Sequence, residues 1–380
     1  MRPAPPGDDA ADDAATLRAL RERVRALDAD LVARIAERIA LGRQIGALKH
    51  RQGLGAADYV QEAIVLERAR DAAAASAVDP ALAEEILARL IRASLTAQEE
   101  DRLKLTGLGE GRTAVVAGGA GRMGRWVRRF LTAQGYAALP LDPAAIASEL
   151  NAARTALSTA DLVVCAAPPA AIASLYRGFA ASPPQGVVVD IASIKTPLLE
   201  PIAALRAAGG KVASIHPMFG PAALLLRDAD VVVCDTGDAE ATAAVERLFA
   251  PTTARLVRVP LADHDRVMAD LLSLAHATAI AFALALPESA HPVRSTTFQA
   301  LERLAATVVR ESPEVYYEIQ ASNPHSAAAL TRLREAIDRI VAAAGAPDAG
   351  AFRALFEAGR ARTSATAEDP VAAKTPQKAN

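Results

Sequence analysis

The spacing of apolar residues divides the chain into three regions with different secondary structure. Residues 16–104 carry a helical pattern throughout. In its first segment, apolar residues recur every three or four positions, which predicts an amphipathic helix to about residue 50: Leu17, Leu20, Val24, Leu27, Leu31 and Ile35. Two shorter helices are predicted at 59–76 and 80–103. Because the first helix is far longer than average, it requires a partner chain or a coiled-coil-like seam.

The middle region, residues 113–259, alternates apolar runs with helical stretches. The runs are TAVVAG, DLVVCAAP, GVVVDIAS, VASIHP and DVVVCD. This alternation predicts an α/β domain with a mostly parallel sheet. Residues 260–363 return to a purely helical pattern, and the polar ends 1–15 and 364–380 are expected to be disordered tails. The fold class is therefore multidomain, α and α/β.

Composition and net charge indicate which partners and which cellular location to expect. The net charge of −2 gives no electrostatic reason to expect a nucleic acid. No run of about 18 uninterrupted apolar residues occurs, which predicts no membrane segment. The N-terminus is Pro-rich and then acidic, the reverse of a signal peptide, so we expect a cytoplasmic protein. Cys165 and Cys234 lie in strand-like runs and predict buried thiols, and no Cys/His spacing indicates a metal site.

A glycine-rich loop follows the first strand of the middle region, in the sequence AGGAGRMG. A GxGxxG pattern between a strand and a helix permits a tight turn and close approach to a pyrophosphate. The cofactor-binding candidates of the loop are Gly119, Gly121, Arg122, Met123 and Gly124. Asp142 ends the next strand-like run, where an acid accepts from a ribose 2′-hydroxyl, and no arginine follows it. NAD is therefore favoured over NADP; the alternative is a glycine-rich loop without a ligand.

Three cations on the first helix are candidates for a second binding site. Arg38 and Lys49 are 11 residues apart, which places them on one face about 16 Å from each other. Arg21 is rotated about 100° from that face, so it cannot join them on the same helix. Two interpretations remain open: a third cation supplied by another protomer, or three solvated charges on a long helix.

The segment LRALRERVRALDADLVARIAERIALGRQIGALK resembles the first helix of the all-α chorismate mutases. The resemblance continues over about 85 residues, through Asp58, Glu62, Ser94 and Gln98. It implies an intertwined homodimer that binds chorismate in a site completed by the partner chain.

The resemblance also implies a role for each matching residue. Arg21 of the partner and Arg38 would hold the two carboxylates, while Lys49 and Gln98 would contact the ether oxygen. The remaining substrate-binding candidates, two of them near the C4 substituent, are Asp58, Glu62 and Ser94. A pericyclic rearrangement needs no acid or base, only a fixed dianion and positive charge at the breaking C–O bond. One position departs: Gln61 stands where the family usually has arginine.

A second resemblance covers about 250 residues. The segments VVAGGAGRMG, VVVDIASIKTPL, HPMFGP and HDRVMADLLSLAH are similar to prephenate dehydrogenases, especially those fused behind a chorismate mutase. The order of the regions is that of the fused enzymes: a three-helix mutase module, a Rossmann-type domain with a doubly wound sheet, and a helical dimerisation domain.

This second resemblance identifies candidates for the oxidative decarboxylation of prephenate. His216 of HPMFGP is the expected base, since a neutral imidazole suits proton transfer near pH 7; the alternative is a packed core histidine. Ser193 is a polar partner near the hydroxyl, and His276 is a substrate-binding candidate. His264 is expected to serve structure at a helix start.

Two positions of one helix are relevant to the arginine that would bind the prephenate carboxylate. Fused relatives have it where this chain has Gln299, and some monofunctional relatives place one at the position of Arg303. The two positions are i and i+4 on one helix face, so Arg303 is the candidate. An exposed arginine without this role is the alternative.

Three functions follow from these observations. The first is a bifunctional enzyme of tyrosine biosynthesis that converts chorismate through prephenate to 4-hydroxyphenylpyruvate with NAD. The second uses the 4-amino-4-deoxy analogues and makes 4-aminophenylpyruvate, because Gln61 would not repel a C4 ammonium group as arginine would. In the third, only the dehydrogenase is active and the helical module serves dimerisation or regulation.

Overall fold

The computed structural model of the protein divides into two compact units, each described by itself. It describes residues 8–54, 58–223, 225–227, 229–287 and 293–367. The first unit comprises Met1–Ser193 and Pro197–Leu261, and the second comprises Ile194–Thr196 and Ala262–Asn380.

The first unit begins with three helices, which confirms the predicted helical module. They are α1 (Asp8–Arg51), α2 (Tyr59–Ala75) and α3 (Pro80–Leu105). Asp58 and Asp79 cap α2 and α3, since each side chain accepts a hydrogen bond from a backbone N–H in the first turn.

The two terminal tails are shorter than the sequence suggested. Helix α1 begins at Asp8 and the last helix ends at Ala367, so residues 8–15 and 364–367 are helical. The N-terminal extension is explained by its alanines, which favour helix, and by its aspartates, which suit the positive end of the helix dipole. The remaining tail segments, 1–7 and 368–380, lie outside the described residues.

A seven-stranded sheet forms the centre of the first unit. Its strands are β1 (Thr113–Ala117), β2 (Ala137–Leu141), β3 (Leu162–Cys165), β4 (Val187–Asp190), β5 (Lys211–Pro217), β6 (Asp230–Asp235) and β7 (Arg255–Pro260). The strand order is β2-β1-β3-β4-β5-β6-β7, and every pair is parallel except β5 and β6. The mostly parallel sheet of the sequence prediction is thus confirmed.

The edge strand β7 was missed by the sequence analysis. Its sequence RLVRVP alternates with polar residues instead of forming an apolar run. Its arginines make ion pairs with neighbouring elements, Arg255 with Asp230 and Arg258 with Glu246. Alternation of this kind is typical of a strand with one face in solvent.

Helices cover both faces of the sheet and create two apolar cores. They are α4 (Arg122–Ala133), α5 (Ala147–Ala156), α6 (Pro169–Ala181), α7 (Leu199–Ala207) and α8 (Ala239–Phe249). One core contains the ring of Phe130 stacked between Trp126 and Phe249, with centroid distances of 5.1 Å. The other core includes Tyr176. Both cysteines are buried free thiols, as predicted.

Helix α3 joins the helical module to the sheet domain through a buried carboxylate. Glu99 is 3% exposed. One of its oxygens accepts from the backbone N–H of Leu226 (3.1 Å), and the other accepts from the N–H (3.1 Å) and hydroxyl (2.8 Å) of Thr253. Leu103, one turn later, belongs to a core cluster of the sheet domain. The module and the sheet domain therefore form one packed unit.

The second unit is helical throughout its described residues, as predicted. It contains α9 (His264–Met268), a π-helical turn (Ala269–Leu274), α10 (Ala275–Leu284), α11 (Thr296–Val309), α12 (Pro313–Ser322), α13 (Ser326–Ala344) and α14 (Gly350–Ala367).

A buried network around Asp265 organises the second unit. Asp265 accepts hydrogen bonds from the backbone N–H groups of Lys195 (2.8 Å) and Thr196 (2.7 Å), and His264 Nδ1 lies 2.7 Å from it. Asn323 donates to its backbone carbonyl. Burial alone would raise the pKa of Asp265, but the hydrogen bonds together lower it. His264 thus has a structural role, as expected, but in this network rather than as a helix cap.

One helical run, Leu261–Leu284, is long and apolar enough to cross a membrane by length and composition alone, since an 18-residue stretch within it has a mean hydropathy of 1.7. This is weak evidence for a membrane segment, because a core helix of a soluble protein passes the same test. The run also carries the buried His264–Asp265 pair. The expected absence of a membrane partner stays a prediction.

Replacing Glu99 should weaken the joint between module and sheet domain. Glu99→Gln keeps the shape but presents an amide to donors that now face a carboxylate. We expect a loss of about 2 kcal/mol in the free energy of unfolding, measured by denaturant titration. Glu100→Gln is the matched control, since Glu100 is exposed and its ion pair with Arg43 is long, at 4.0 Å. Equal effects of the two substitutions would contradict the role of Glu99.

The Asp265 network predicts a pH dependence of local stability. A carboxylate with a lowered pKa stabilises the fold above the usual value of 3.8, and this contribution is lost as the pH falls below it. Asp265→Asn should therefore reduce hydrogen-exchange protection of the Lys195 and Thr196 N–H groups at pH 7. The difference from the unsubstituted protein should shrink below pH 3.8. The exposed Asp263→Asn should leave this protection unchanged; a pH-independent difference would argue against the network.

Candidate functional site

The glycine loop after β1 is packed so closely that side chains are excluded. Gly118 has a φ of +77°, a conformation that glycine adopts without strain. A Cβ at Gly124 would collide with the carbonyl of Gly118 and lie 2.8 Å from the Cα of Gly119. Gly118 was not among the sequence candidates, although it directly precedes them. The glycines are therefore required by the approach of α4 to the loop.

The loop leads into the N-terminus of α4, the positive end of the helix dipole. Gly121 is the N-cap residue and supplies no side-chain hydrogen bond. Arg122 starts the helix and is exposed, whereas Met123 packs against the core. An uncapped helix N-terminus attracts the negative charge of a phosphate group.

Asp142 lies beside the loop, at the end of β2. Its Oδ2 accepts from the N–H of Ala120 (3.1 Å) and its Oδ1 from the N–H of Ala144 (2.9 Å). A cleft at this edge of the sheet is lined by Gly118, Gly121, Asp142, Ala166 and Pro168. The cleft lies where the strand order reverses, between β1 and β3, which is the usual ligand position in such sheets.

His216 and Ser193 lie at the same edge of the sheet as the glycine loop. His216 is 5% exposed, near the end of β5 and opposite Val232 of β6. Ser193 follows β4 and is partly buried. The parallel pairing of β4 with β5 ends at Asp190 and Ser214, so both candidates lie beyond that ladder, and His216 continues in the antiparallel pairing of β5 with β6. The structure brings the predicted base and its polar partner to the carboxyl edge of neighbouring strands.

His276 and Arg303 lie in the second unit, on α10 and α11. The His276 ring packs edge-on against Tyr316 at 4.6 Å between centroids, and burial lowers the pKa of His276. Its buried Nδ1 has no hydrogen-bond partner among the described residues. Arg303 is exposed, whereas Gln299, one turn earlier, is partly buried. The structure gives Arg303 no contact that assigns it a role.

Arg38 and Lys49, which the spacing placed on one face of α1, both contact other parts of the helical module. Arg38 Nη1 donates to Ser94 Oγ (3.0 Å) and to the carbonyl of Leu90 (2.9 Å), and burial lowers the pKa of Arg38. Lys49 Nζ lies 2.8 Å from Asp58 Oδ2, a contact that lowers the pKa of Asp58. Three substrate-binding candidates and Lys49, a catalytic candidate, thus form two contacting pairs.

Two glycines of α1 bring Ser94 and Gln98 to the same face. A Cβ at Gly42 would lie 2.9 Å from Ser94 Cβ, and one at Gly46 would lie 2.5 Å from Gln98 Cγ. Sequence reasoning missed this pair, although its four-residue spacing is typical of close helix packing. The glycines therefore fix the distance between the cations of α1 and the polar side chains of α3.

Arg21 lies on the exposed first half of α1, 17 residues before Arg38. On one continuous helix this separation is about 25 Å. Arg21 therefore cannot meet Arg38 within one chain, as its spacing predicted.

Glu62, the remaining candidate, contacts a residue that the sequence analysis did not identify. Its Oε2 lies 2.5 Å from Nη1 of Arg227, which follows β5 in the sheet domain. The Arg227 guanidinium also lies over the ring of Tyr59, 4.5 Å from its centroid. In the sequence, Arg227 follows the apolar residues AALLL, and no spacing pattern marks it as a site residue.

Comparison with known families assigns both regions of the first unit. Residues 20–99 match the family described as chorismate mutase type II. Residues 143–258 match the prephenate dehydrogenase nucleotide-binding domain. The second match begins after the glycine loop, so the loop is assigned by its geometry.

Known proteins extend these matches over most of the chain. The T-protein of Enterobacter agglomerans is 31% identical over 352 residues, covering 90% of this chain and 91% of the relative. A 4-amino-4-deoxyprephenate dehydrogenase of Streptomyces pristinaespiralis is also 31% identical, over 64% of this chain and 88% of the relative. The crystal structure of prephenate dehydrogenase from A. aeolicus with hydroxyphenyl propionate and NAD+ has a TM-score of 0.51 at 17% identity, covering 67% of this chain and 98% of that one, and so shares the fold. The chain belongs to the T-protein family, in which a chorismate mutase domain is joined to a prephenate dehydrogenase domain.

Proposed function

We propose that the protein rearranges chorismate to prephenate in its helical module and then oxidatively decarboxylates prephenate with NAD to 4-hydroxyphenylpyruvate. The observation that carries this proposal is the 31% identity to a T-protein over 90% of the chain, which includes both domains. The packed unit of helical module and sheet domain supports two activities in one protein.

The mutase step requires positioning rather than proton transfer. Arg38 and the Arg21 of a second copy would hold the two carboxylates of chorismate. Lys49 and Gln98 would place positive charge and a hydrogen bond at the ether oxygen, where negative charge develops as the C–O bond breaks. The packing of α1 against α3 fixes these groups before substrate binds, so little reorganisation is needed.

The residues of the sheet domain fit a dinucleotide. The glycine loop packs closely on α4, where a Cβ at Gly124 would collide with the loop backbone, and the N-terminus of that helix has no side-chain cap. Asp142 would accept from a ribose 2′-hydroxyl, which favours NAD over NADP. NAD would supply the hydride acceptor for C4 of prephenate.

His216 would move the proton in the dehydrogenase step. As the hydride leaves C4, His216 takes the proton of the C4 hydroxyl, and Ser193 holds the hydroxyl in place. Loss of CO2 from C1 makes the ring aromatic, and the proton returns to the phenol oxygen. His276 would help to bind the substrate, since burial keeps its imidazole neutral at pH 7.

The protein is proposed to act as a cytoplasmic homodimer. Five apolar residues of the α1 stripe are between 48% and 62% exposed in one chain: Leu17, Leu20, Val24, Leu27 and Leu31. The second unit also exposes large side chains, including Leu284 at 81% and Val341 at 67%. Apolar surfaces of this extent favour burial against a second copy. The two free thiols suit a reducing compartment.

The 4-amino substrates are a second candidate. The Streptomyces relative has the same identity as the T-protein and a 4-amino name, and Gln61 contributes no cation at the position just before Glu62. That relative covers 64% of the chain against 90%, so this candidate is not better supported. Parallel kinetics with hydroxy and amino substrates separate the two, because the preferred substrate has the higher kcat/KM.

Single substitutions should separate the two activities. His216→Asn should lower NADH formation from prephenate at least about 100-fold, because the base is lost, and should leave chorismate consumption unchanged. Lys49→Ala should do the reverse, because it removes the charge at the breaking bond. Each variant is the control for the other. Loss of both activities in either variant, or a fully active His216→Asn, would contradict the assignment.

The glycine loop predicts loss of cofactor binding without loss of the mutase. In Gly124→Ala the added methyl group must displace the loop backbone, so the KM for NAD should rise by roughly tenfold or more. Gly359→Ala on α14 is the control, since nothing lies within 4 Å of its Cβ position. An unchanged KM for NAD in Gly124→Ala would show that the cofactor does not use this loop.

A further inference from the structure

The guanidinium of Arg227 extends from the sheet domain to the chorismate-binding face of the helical module. Arg227 lies between β5 and β6 and is 165 residues from Glu62 in sequence. Its Nη1 is 2.5 Å from Glu62 Oε2, and the two side chains are only 15% and 19% exposed. An ion pair that is so little exposed is weakly screened by water and salt.

The pair lies within the cluster of mutase candidates. Asp58 is the N-cap residue of α2 and Glu62 lies in the first turn of that helix, so both carboxylates belong to the start of α2. Asp58 contacts Lys49 of α1 at 2.8 Å. The ring of Tyr59 packs under the Arg227 guanidinium, 4.5 Å from its centroid, which fixes the plane of the cation. Arg227 of the sheet domain therefore contacts the group of charged side chains formed by the helical module.

Backbone groups of neighbouring residues anchor the segment that carries Arg227. The N–H of the preceding residue, Leu226, donates to the buried Glu99, and Leu226 itself is 2% exposed. The indole of Trp126 donates to the carbonyl of Ala223 at 2.9 Å. The segment thus has anchoring contacts other than those of the Arg227 side chain.

The charges of the side chains at the mutase site indicate a role for Arg227. Chorismate carries two negative charges, whereas Arg38 and Lys49 are balanced within one chain by Asp58 and Glu62. Arg227 raises the sum of these side chains to +1, and Arg21 of a second copy raises it to +2, which matches the dianion. Gln61, the neighbour of Glu62 on α2, contributes no charge.

Glu62 also retains an open acceptor. Its Oε1 is buried and has no hydrogen-bond partner among the described residues. A buried carboxylate oxygen without a donor is costly, and such an atom at a binding site indicates a ligand group that satisfies it. A hydroxyl group of the substrate would supply this donor.

We propose that Arg227 of the dehydrogenase domain is a positioning residue of the chorismate mutase site. It holds Glu62 through one oxygen, leaves the other oxygen to accept from the substrate, and offsets the carboxylate charge beside a dianion. The mutase site is therefore completed by the domain that performs the second reaction. This inference rests on the proposed mutase function.

The test compares Arg227→Gln and Arg227→Lys in the full-length protein. Arg227→Gln should lower kcat/KM for chorismate roughly 10- to 100-fold, mostly through a higher KM, because the uncompensated Glu62 repels the dianion. Arg227→Lys keeps the charge and should recover most of that loss. Dehydrogenase kinetics with prephenate should stay unchanged in both variants. Arg255→Gln is the matched control, since it breaks an exposed arginine–aspartate pair of the same domain.

A second variant separates charge from packing. Gln61→Arg in the Arg227→Gln background places a guanidinium on α2 next to Glu62 and should restore chorismate binding. A purely structural Arg227 predicts no such rescue, and instead a parallel fall of thermal stability and of both activities. Full mutase activity in Arg227→Gln overturns the inference alone. Absence of chorismate turnover by the unsubstituted protein defeats the proposed mutase function and the inference together.

Discussion

The buried carboxylate of Glu99 is the interaction on which the arrangement of the first unit depends. It accepts hydrogen bonds from two segments of the sheet domain, at Leu226 and Thr253, and thereby fixes α3 on that domain. A buried charge with three donors tolerates little displacement, because each lost bond leaves a costly unpaired group. The position of α3 then sets that of α1, because Gly42 and Gly46 pack directly against α3 side chains.

This constraint explains why two different chemistries occur in one packed unit. The segment between β5 and β6 begins just after His216, the proposed base of the dehydrogenase, and contains Leu226 and Arg227. One short connection thus leaves the dehydrogenase site, docks on α3 and contacts the mutase candidate Glu62. The antiparallel pairing of β5 and β6 makes this possible, since a parallel pair requires a long helical crossover.

Local patterns predicted much of the fold and of the candidate site. Residues close together in the sequence determine the α1 stripe, the glycine loop and the strand that carries His216. Their periodicity and spacing were therefore sufficient to predict these elements. Arg227 and Glu99 were not predictable in this way, because their partners lie 165 and 127 residues away. The edge strand β7 lacked the continuous apolar run of a central strand. Arg303 rested on alignment alone, and its exposure leaves the carboxylate-binding arginine of the dehydrogenase unassigned.

One chain is proposed to perform two consecutive reactions, the rearrangement of chorismate and the oxidative decarboxylation of prephenate. The most direct measurement follows purified protein given chorismate and NAD, without added prephenate, and quantifies NADH, CO2 and the aromatic product. A bifunctional enzyme should release the three in equal amounts, with 4-hydroxyphenylpyruvate as the aromatic product. No NADH from chorismate, while added prephenate is still oxidised, would contradict the claim.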